Sequence, residues 1–232
     1  MNTMTAPPVV TLTVFHFAGW RRGWAFAQMG LARPLLRNVP GLQFWKMMGA
    51  GGGLGFTLRP DWGRYALLSV WRDQESSKNF FADSRFIRRY RRAASRLSTL
   101  VLQPIATHGN WGGGNPFLPT LRRQPEPDEP IAVLTRASIR PLRSRAFWGQ
   151  VPRVNQEIAE APGLIASIGI GELPFIRQAT FSIWENAAAM KAFAYGRPEH
   201  RNAIKQTRSE GWYSEEMFTR FVVVGGMGEL PL

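Results

Sequence analysis

Apolar positions along this chain switch between the two-residue period of strands and the wider period of helices, and they do so twice in the same order. "VVTLTVFHF" (9–17) is a β-branched and aromatic run that reads as a strand. A helix is predicted over 21–38, stopping ahead of Pro40. "LQFWKMMG" and "RYALLSVW" read as strands around a loop, residues 73–97 as helical, and "TLVLQPIAT" as the closing strand. The second pass gives strands "IAVLTRASI", "LIASIGIG", "IRQATFSIW" and "MFTRFVVVG". Its helices fall near 142–160 and 186–209, the latter interrupted by Gly196 and Pro198.

The two passes align residue by residue, which marks an internal repeat. Pro-Gly-Leu precedes the second strand of each half, at Pro40 and at Pro162. An offset of 113 places Trp71 against Trp184, Phe80 against Phe193 and Ile87 against His200. The Pro-Gly-Leu turns are 122 apart, so the first half holds about nine extra residues, in "GAGGGLGFTLRPDWG". Strand, helix, strand, strand, helix, strand is the ferredoxin-like unit. The fold class expected is α+β: tandem duplicated ferredoxin-like (βαββαβ) units forming a pseudo-dimeric α/β barrel. The halves span 8–118 and 131–228, the second carrying the candidate site. Residues 119–130, within which "LRRQPEPDEP" is rich in Pro and charge, form the linker.

Composition narrows the chemistry. With 44% hydrophobic and 19% charged residues, a buried core is available and wholesale disorder is excluded. The absence of Cys excludes disulfides, thiolate-bound zinc, iron–sulfur clusters and a cysteine nucleophile. "MNTMTAPPVV" has neither the basic nor the apolar region of a signal peptide, and no apolar run reaches the ~20 residues that span a bilayer. The glycines of "GAGGGLGF" do not follow the G-x-G-x-x-G spacing, so no dinucleotide fingerprint is present.

The net charge is +13, mainly from Arg, with the densest cluster in "RFIRRYRRAASR" (85–96). A basic helix face can be merely solvated, can neutralise phosphates of nucleic acid, or can attract an anionic membrane surface. No nucleic-acid module accompanies the cluster, and the aromatics fall at core-like positions rather than on an exposed platform.

Three histidines remain as candidate ligands: His16, His108 and His200. Pro198 and Glu199 suit the first turn of a helix, whose positive end disfavours protonation of His200 and keeps the imidazole available to a metal. One histidine without a cluster of further ligands is too few for mononuclear zinc. Haem brings four nitrogens of its own, so one histidine suffices. Phe175, Phe181, Phe193 and Trp212 could line a porphyrin, and Arg177, Arg197 and Arg201 could pair with its propionates. A hydrogen-bonded structural role for His200 stays open on these grounds.

"GIGELPFIRQATFSIWENAAAMKAFA" with "GRPEHRNAIKQTRSEGWYSEEMFTRF" resembles the signature region of the spheroidene monooxygenase family of carotenoid biosynthesis, and "WAFAQMGLARPLLRNVPGLQFWKMMGAGGGLGF" and "PIAVLTRASIRP" resemble it as well. The resemblance implies a haem-dependent, iron-containing monooxygenase that introduces a keto group into an acyclic carotenoid with O2. It gives His200 the proximal-ligand role. Arg177 departs from the family, where a His commonly stands. Because the chain shows neither a flavin nor a nicotinamide fingerprint, the electrons would come from a donor protein such as a ferredoxin. The membrane-dissolved substrate that the resemblance implies ranks the membrane above nucleic acid for the basic cluster. The expected location is cytoplasmic, peripheral on the inner membrane, with nucleic acid not a partner. Two alternatives accompany this reading: a haem enzyme of aldoxime dehydratase type, and a non-catalytic module binding a small molecule or a partner protein.

Overall fold

The computed structural model describes residues 7–55, 57, 59–121, 123–196 and 210–228. Eight strands close into one antiparallel barrel in the order β1-β3-β2-β6-β7-β5-β8-β4. The first half supplies β1 (Val9–His16), β2 (Leu42–Gly51), β3 (Pro60–Trp71) and β4 (Arg96–Gly109). The second supplies β5 (Ile131–Ile139), β6 (Leu164–Leu173), β7 (Arg177–Trp184) and β8 (Tyr213–Met227). Each half is a four-stranded sheet in ferredoxin-like order, and like strands meet across the two seams. β2 meets β6 over only Gly49–Gly171 and Ala50–Ile170, while β4 meets β8 from Thr99–Met227 to Gly109–Met217. That arrangement is the single-chain counterpart of an isologous dimer.

The repeat is exact in register at its anchors. Trp71 pairs with Val9 and Leu42, and Trp184 pairs with Ile131 and Leu164. The Pro-Gly-Leu turns match too: Gly41 and Gly163 both have φ +74, and their carbonyls accept the N–H of Arg72 and Glu185 at 2.8 Å each. A Cβ on Gly41 would lie 2.1 Å from Ser76 Oγ, and one on Gly163 2.6 Å from Ala189 Cβ, so both positive φ and close approach require glycine. Asp73 and Asn186, 113 apart, each cap the following helix by accepting a backbone N–H, from Ser76 and Ala189.

Helices cover the outer faces. In the first half these are α1 (Arg21–Leu31), α2 (Arg33–Leu36), α3 (Gln74–Asp83) and α4 (Arg85–Ala93); in the second, α5 (Ser144–Ala159), after a 3-10 turn at Pro141–Arg143, and α6 (Ala187–Gly196). The single helix expected over 21–38 divides at Ala32, because Pro34 cannot donate the hydrogen bond a continuous helix needs. The helical stretch expected over 73–97 divides at Ser84, whose backbone is extended (φ −67, ψ 146) and whose hydroxyl accepts the Ile87 N–H at 3.1 Å. β4 then begins at Arg96, inside that expected stretch.

The barrel interior is a packed core. Leu12, Val14, Met48, Leu68, Phe181 and Phe221 meet there, and the loop after β4 inserts Trp111 and Phe117. Phe117 packs edge-on against Phe221 at 5.4 Å, and Trp111 against Phe44 at 5.4 Å. An ionic network ties the rim to this plug. Arg136 of β5, almost wholly buried, donates to Glu215 of β8 and to Glu172 of β6 (3.3 Å). Glu172 also accepts Trp111 Nε1 (2.8 Å) and pairs with Lys46 of β2 (2.9 Å). Glu215 accepts the N–H groups of Gly112 (2.7 Å) and Gly113 (3.0 Å). Removing one partner from such a network leaves a buried charge uncompensated, at a cost of about 3–5 kcal/mol.

Burial would raise the pKa of Glu215, but the Gly113 N–H, the Arg136 guanidinium and the Gly112 N–H outweigh it and hold the carboxyl below its ordinary value of 4.5. A lowered folded-state pKa means that its contribution to stability is present above the unfolded value and is lost as pH falls through the folded one. The urea-unfolding gap between parent and Glu215→Gln is therefore expected to be full near pH ~6 and to close toward pH ~3. A gap that stays constant across that window contradicts this role.

Candidate functional site

The register makes every outward position of one half comparable with its partner in the other. Phe15 pairs with Tyr65 in the first half, and Ala137 with Gln178 in the second. Met47 pairs with Leu67, and Gly169 with Thr180; Trp45 pairs with Ser69, and Ser167 with Ser182. Five bulky residues of the first half, Phe15, Trp45, Met47, Tyr65 and Leu67, thus give way to Ala137, Ser167, Gly169, Gln178 and Thr180. Each change is toward a smaller side chain, and all lie on one continuous sheet face. Random drift in a packed layer would leave voids that cost stability. The five reductions mark where the two halves diverge in side-chain size, at positions of which Ala137, Ser167, Gly169 and Gln178 are buried.

The first half fills its face with its own side chains. Phe86, Ile87 and Tyr90 of α4 are buried against it, with Phe86 and Tyr90 stacked at 4.1 Å and Phe15 and Tyr90 4.8 Å apart. The second half splits its apolar side chains between two clusters at opposite ends of β5 and β7. One gathers Ile131, Ile158, Trp184, Met190, Phe193 and Val222. The other gathers Ala137, Ile139, Phe147, Val151 and Trp212. Between them the face presents Thr135, Ser167, Gly169, Thr180 and Ser182. Ser167 is 5% exposed and its hydroxyl has no hydrogen-bond partner. A buried hydroxyl in that condition is costly unless a ligand or water satisfies it.

The residues singled out from sequence fall around this face as follows. Phe193 lies in the first cluster, its ring 5.1 Å from Trp184. Trp212 lies in the second, donating its indole N–H to Glu210 at 2.9 Å and meeting Phe147 edge-on at 6.3 Å. Arg177 is exposed at the start of β7, opposite Ser138. Phe175 is half exposed beside it with φ 66, a strained value for a bulky residue, and its carbonyl accepts Trp148 Nε1 at 3.3 Å. Phe181 points the other way: it is wholly buried inside the barrel and cannot line a ligand on the outer face. The alternation of β7 decides this, since Gln178, Thr180, Ser182 and Trp184 take the outward side. His200, Arg197 and Arg201 belong to the segment joining α6 to Glu210 and lie outside the described residues.

The other two histidines sit elsewhere. His16 ends β1, with Nε2 3.0 Å from the Arg96 guanidinium. His108 is on the surface, 3.9 Å from the Glu216 carboxylate. Among the described residues no group of three or more His, Asp or Glu could hold a metal ion. The sequence reading missed the small face itself. Its signal was available in the same 113-residue offset, which sets Leu67 against Thr180 and Tyr65 against Gln178.

Comparison with protein-family models gives no match. Among solved structures, an aldoxime dehydratase superposes with a TM-score of 0.64 at 10% identity, covering 100% of this chain and 88% of that one, which shows a shared fold. Among curated proteins, the spheroidene monooxygenase of Cereibacter sphaeroides is 38% identical over 95% of this chain and 68% of its own length. That of Rhodobacter capsulatus is 40% identical over 97% of this chain and 95% of its own length. With that identity sustained from one half of the barrel through the other, the chain belongs to the spheroidene monooxygenase family.

Proposed function

We propose that the protein is a haem-dependent monooxygenase that introduces a keto group into an acyclic, spheroidene-like carotenoid, using O2 and electrons from a donor protein such as a ferredoxin. The observation that carries this reading is the outward face of the second half, where Ala137, Ser167, Gly169, Gln178 and Thr180 replace the bulky residues of the first. A porphyrin is a flat plate that can approach a sheet closely only over small side chains, and one axial histidine suffices to hold its iron. The face supplies the first requirement. His200 is assigned the second on its place in the sequence, with Arg177 and Arg201 as partners for propionates.

Haem, when bound, supplies the O2 and redox chemistry that the side chains lack. The protein's own part is to orient and to exclude water. Phe193 and Trp212 are buried in the two apolar clusters that close the face at its ends and keep water from them. The buried Ser167 hydroxyl, without a partner among the described residues, is a polar atom that can direct a hydrogen bond at what lies over the face. Two hydroxylations at one carbon give a geminal diol that loses water to the ketone, and each consumes one O2, two electrons and two protons. A carotenoid dissolves in membranes rather than in water, so this reading also places the working protein at a cytoplasmic membrane surface. No helix among the described residues is long and apolar enough to cross one.

The test is reconstitution. Purified protein loaded with haem, given spheroidene, a ferredoxin reducing system and isotopically labelled O2, is expected to yield a product with one oxygen more and two hydrogens fewer, the oxygen carrying the label. Turnover of the carotenoid by haem-free protein overturns the cofactor reading, and failure of the loaded protein to convert any acyclic carotenoid overturns the substrate reading.

A further inference from the structure

A second feature, an open groove, is in the other half. It lies between α1 and α4, has a volume of about 630 Å³, and is lined by Trp20 and Trp24 from the α1 side and by Arg85, Arg88, Arg89 and Arg92 from α4. Arg21 ties its two walls together by donating to the Ala93 carbonyl at 3.0 Å. The guanidiniums lie against the rings: Arg89 is 5.5 Å from the Trp24 centroid, and Arg21 is 5.8 Å from that of Trp20. Nothing acidic lies on α4, and the first acidic residue of the whole chain is Asp61. Asp83 engages only Arg88, at 2.6 Å.

The apolar side chains around this groove are as unusual as its charge. Trp20 is 79% exposed and Leu31 63%, and helical spacing puts both on the flank of α1 that carries Trp24. On the opposite flank Phe26 and Trp62, both more than half exposed, pack edge-on at 5.3 Å. Isolated exposed apolar residues need no explanation, but a set bordering one helix next to a row of arginines marks an interaction surface. We infer that the α1–α4 face docks the protein on a bilayer containing anionic lipids, with Trp20, Leu31, Phe26 and Trp62 entering the headgroup region and the arginines of α4 meeting lipid phosphates.

Charge alone would serve nucleic acid equally well. The apolar border separates the two: Leu31 and the Phe26–Trp62 pair would stay in water beside a phosphate backbone, whereas a bilayer interface removes them from it. The inference deepens the reading of a membrane-dissolved substrate and rests on that reading for its purpose. The face is in the half opposite the small-residue site, so docking and chemistry can be tested apart.

The experiment is flotation with phosphatidylcholine vesicles, with and without phosphatidylglycerol. The variants are Arg85→Gln/Arg89→Gln/Arg92→Gln and, separately, Trp20→Ala/Leu31→Ser, all at exposed positions and each checked for an unchanged near-ultraviolet spectrum. The parent is expected to float with anionic vesicles only, and less as salt shortens the ~8 Å screening length. Loss of three basic residues should weaken partitioning on the order of a hundredfold. The Trp20→Ala/Leu31→Ser protein should bind more weakly while keeping the salt dependence. Equal flotation of parent and arginine variant overturns the inference. So does tighter binding to single-stranded RNA than to vesicles that Trp20→Ala/Leu31→Ser leaves intact. Carotenoid turnover in detergent micelles, measured on parent and arginine variant alike, reports on the enzyme reading alone: both should turn over equally, and a parent that floats but converts nothing separates a correct docking face from a wrong activity.

Discussion

His200→Ala is expected to strip haem from the protein while leaving the barrel folded. Its counterpart in the repeat, Ile87, is wholly buried beneath the helices of the first half and contributes to a dense aromatic layer. Among the described residues, the apolar side chains of the second half gather in two clusters instead, and the proposal gives position 200 a ligand in place of that packing. With His200 as the proposed axial ligand, its loss should exceed the ~10–100-fold cost in affinity that follows when only a supporting neighbour of a metal ligand is removed. The readout is the Soret band of protein purified with haem. Imidazole added to His200→Ala should restore part of the spectrum by occupying the vacated ligand position, which a merely structural histidine would not allow. His16→Ala and His108→Ala should keep the parental band, since one lies against Arg96 at the edge of β1 and the other on the surface near Glu216. An unchanged spectrum and unchanged activity in His200→Ala would sink the assignment.

The order of elements and the duplication were legible in the chain because both rest on short-range signals. Trp71 ends a nearly continuous apolar run and Trp184 an alternating one, and the turns at Gly41 and Gly163 announce themselves by Pro-Gly-Leu. What escaped is what depends on the side a residue faces or on distant partners. Ser84 reads as one polar residue in a helical stretch until its hydroxyl is seen capping α4. Arg136 interrupts the apolar "IAVLTRASI", a visible oddity, but its partners Glu215 and Glu172 sit far along the chain, on β8 beside β5 and on β6 two strands away in the same half. Phe181 was attractive as a ligand-facing aromatic, and aromaticity carries no information on parity; pairing with Leu134 and Ile168 sends it inward. The small-residue face was hidden for the opposite reason. Glycine, serine, threonine and alanine look unremarkable singly and acquire meaning only beside the bulky residues that occupy the same register positions in the other half.

That contrast yields the most demanding test of the site, because the same position should respond oppositely in the two halves. Restoring first-half bulk with Ala137→Phe and Thr180→Leu should abolish haem retention and turnover. Thr180 stands on the face between the two apolar clusters, where a flat ligand is proposed to lie, and Ala137 borders it as a wholly buried member of the second cluster. Ala137 is wholly buried, so overpacking there costs about 1–3 kcal/mol and lowers the urea midpoint, and ligand content is therefore compared per folded molecule. In the first half, Leu67→Ala should do the reverse. Leu67 is wholly buried in the layer beneath the helices, and its truncation should cost about 2–5 kcal/mol. Haem content per folded molecule should be unaffected there, since that half fills its face with Phe86, Ile87 and Tyr90. If Ala137→Phe/Thr180→Leu binds haem and substrate like the parent, the five reduced positions are not the site. If Leu67→Ala loses ligand as completely as the filled variant does, the halves are not divided between packing and chemistry.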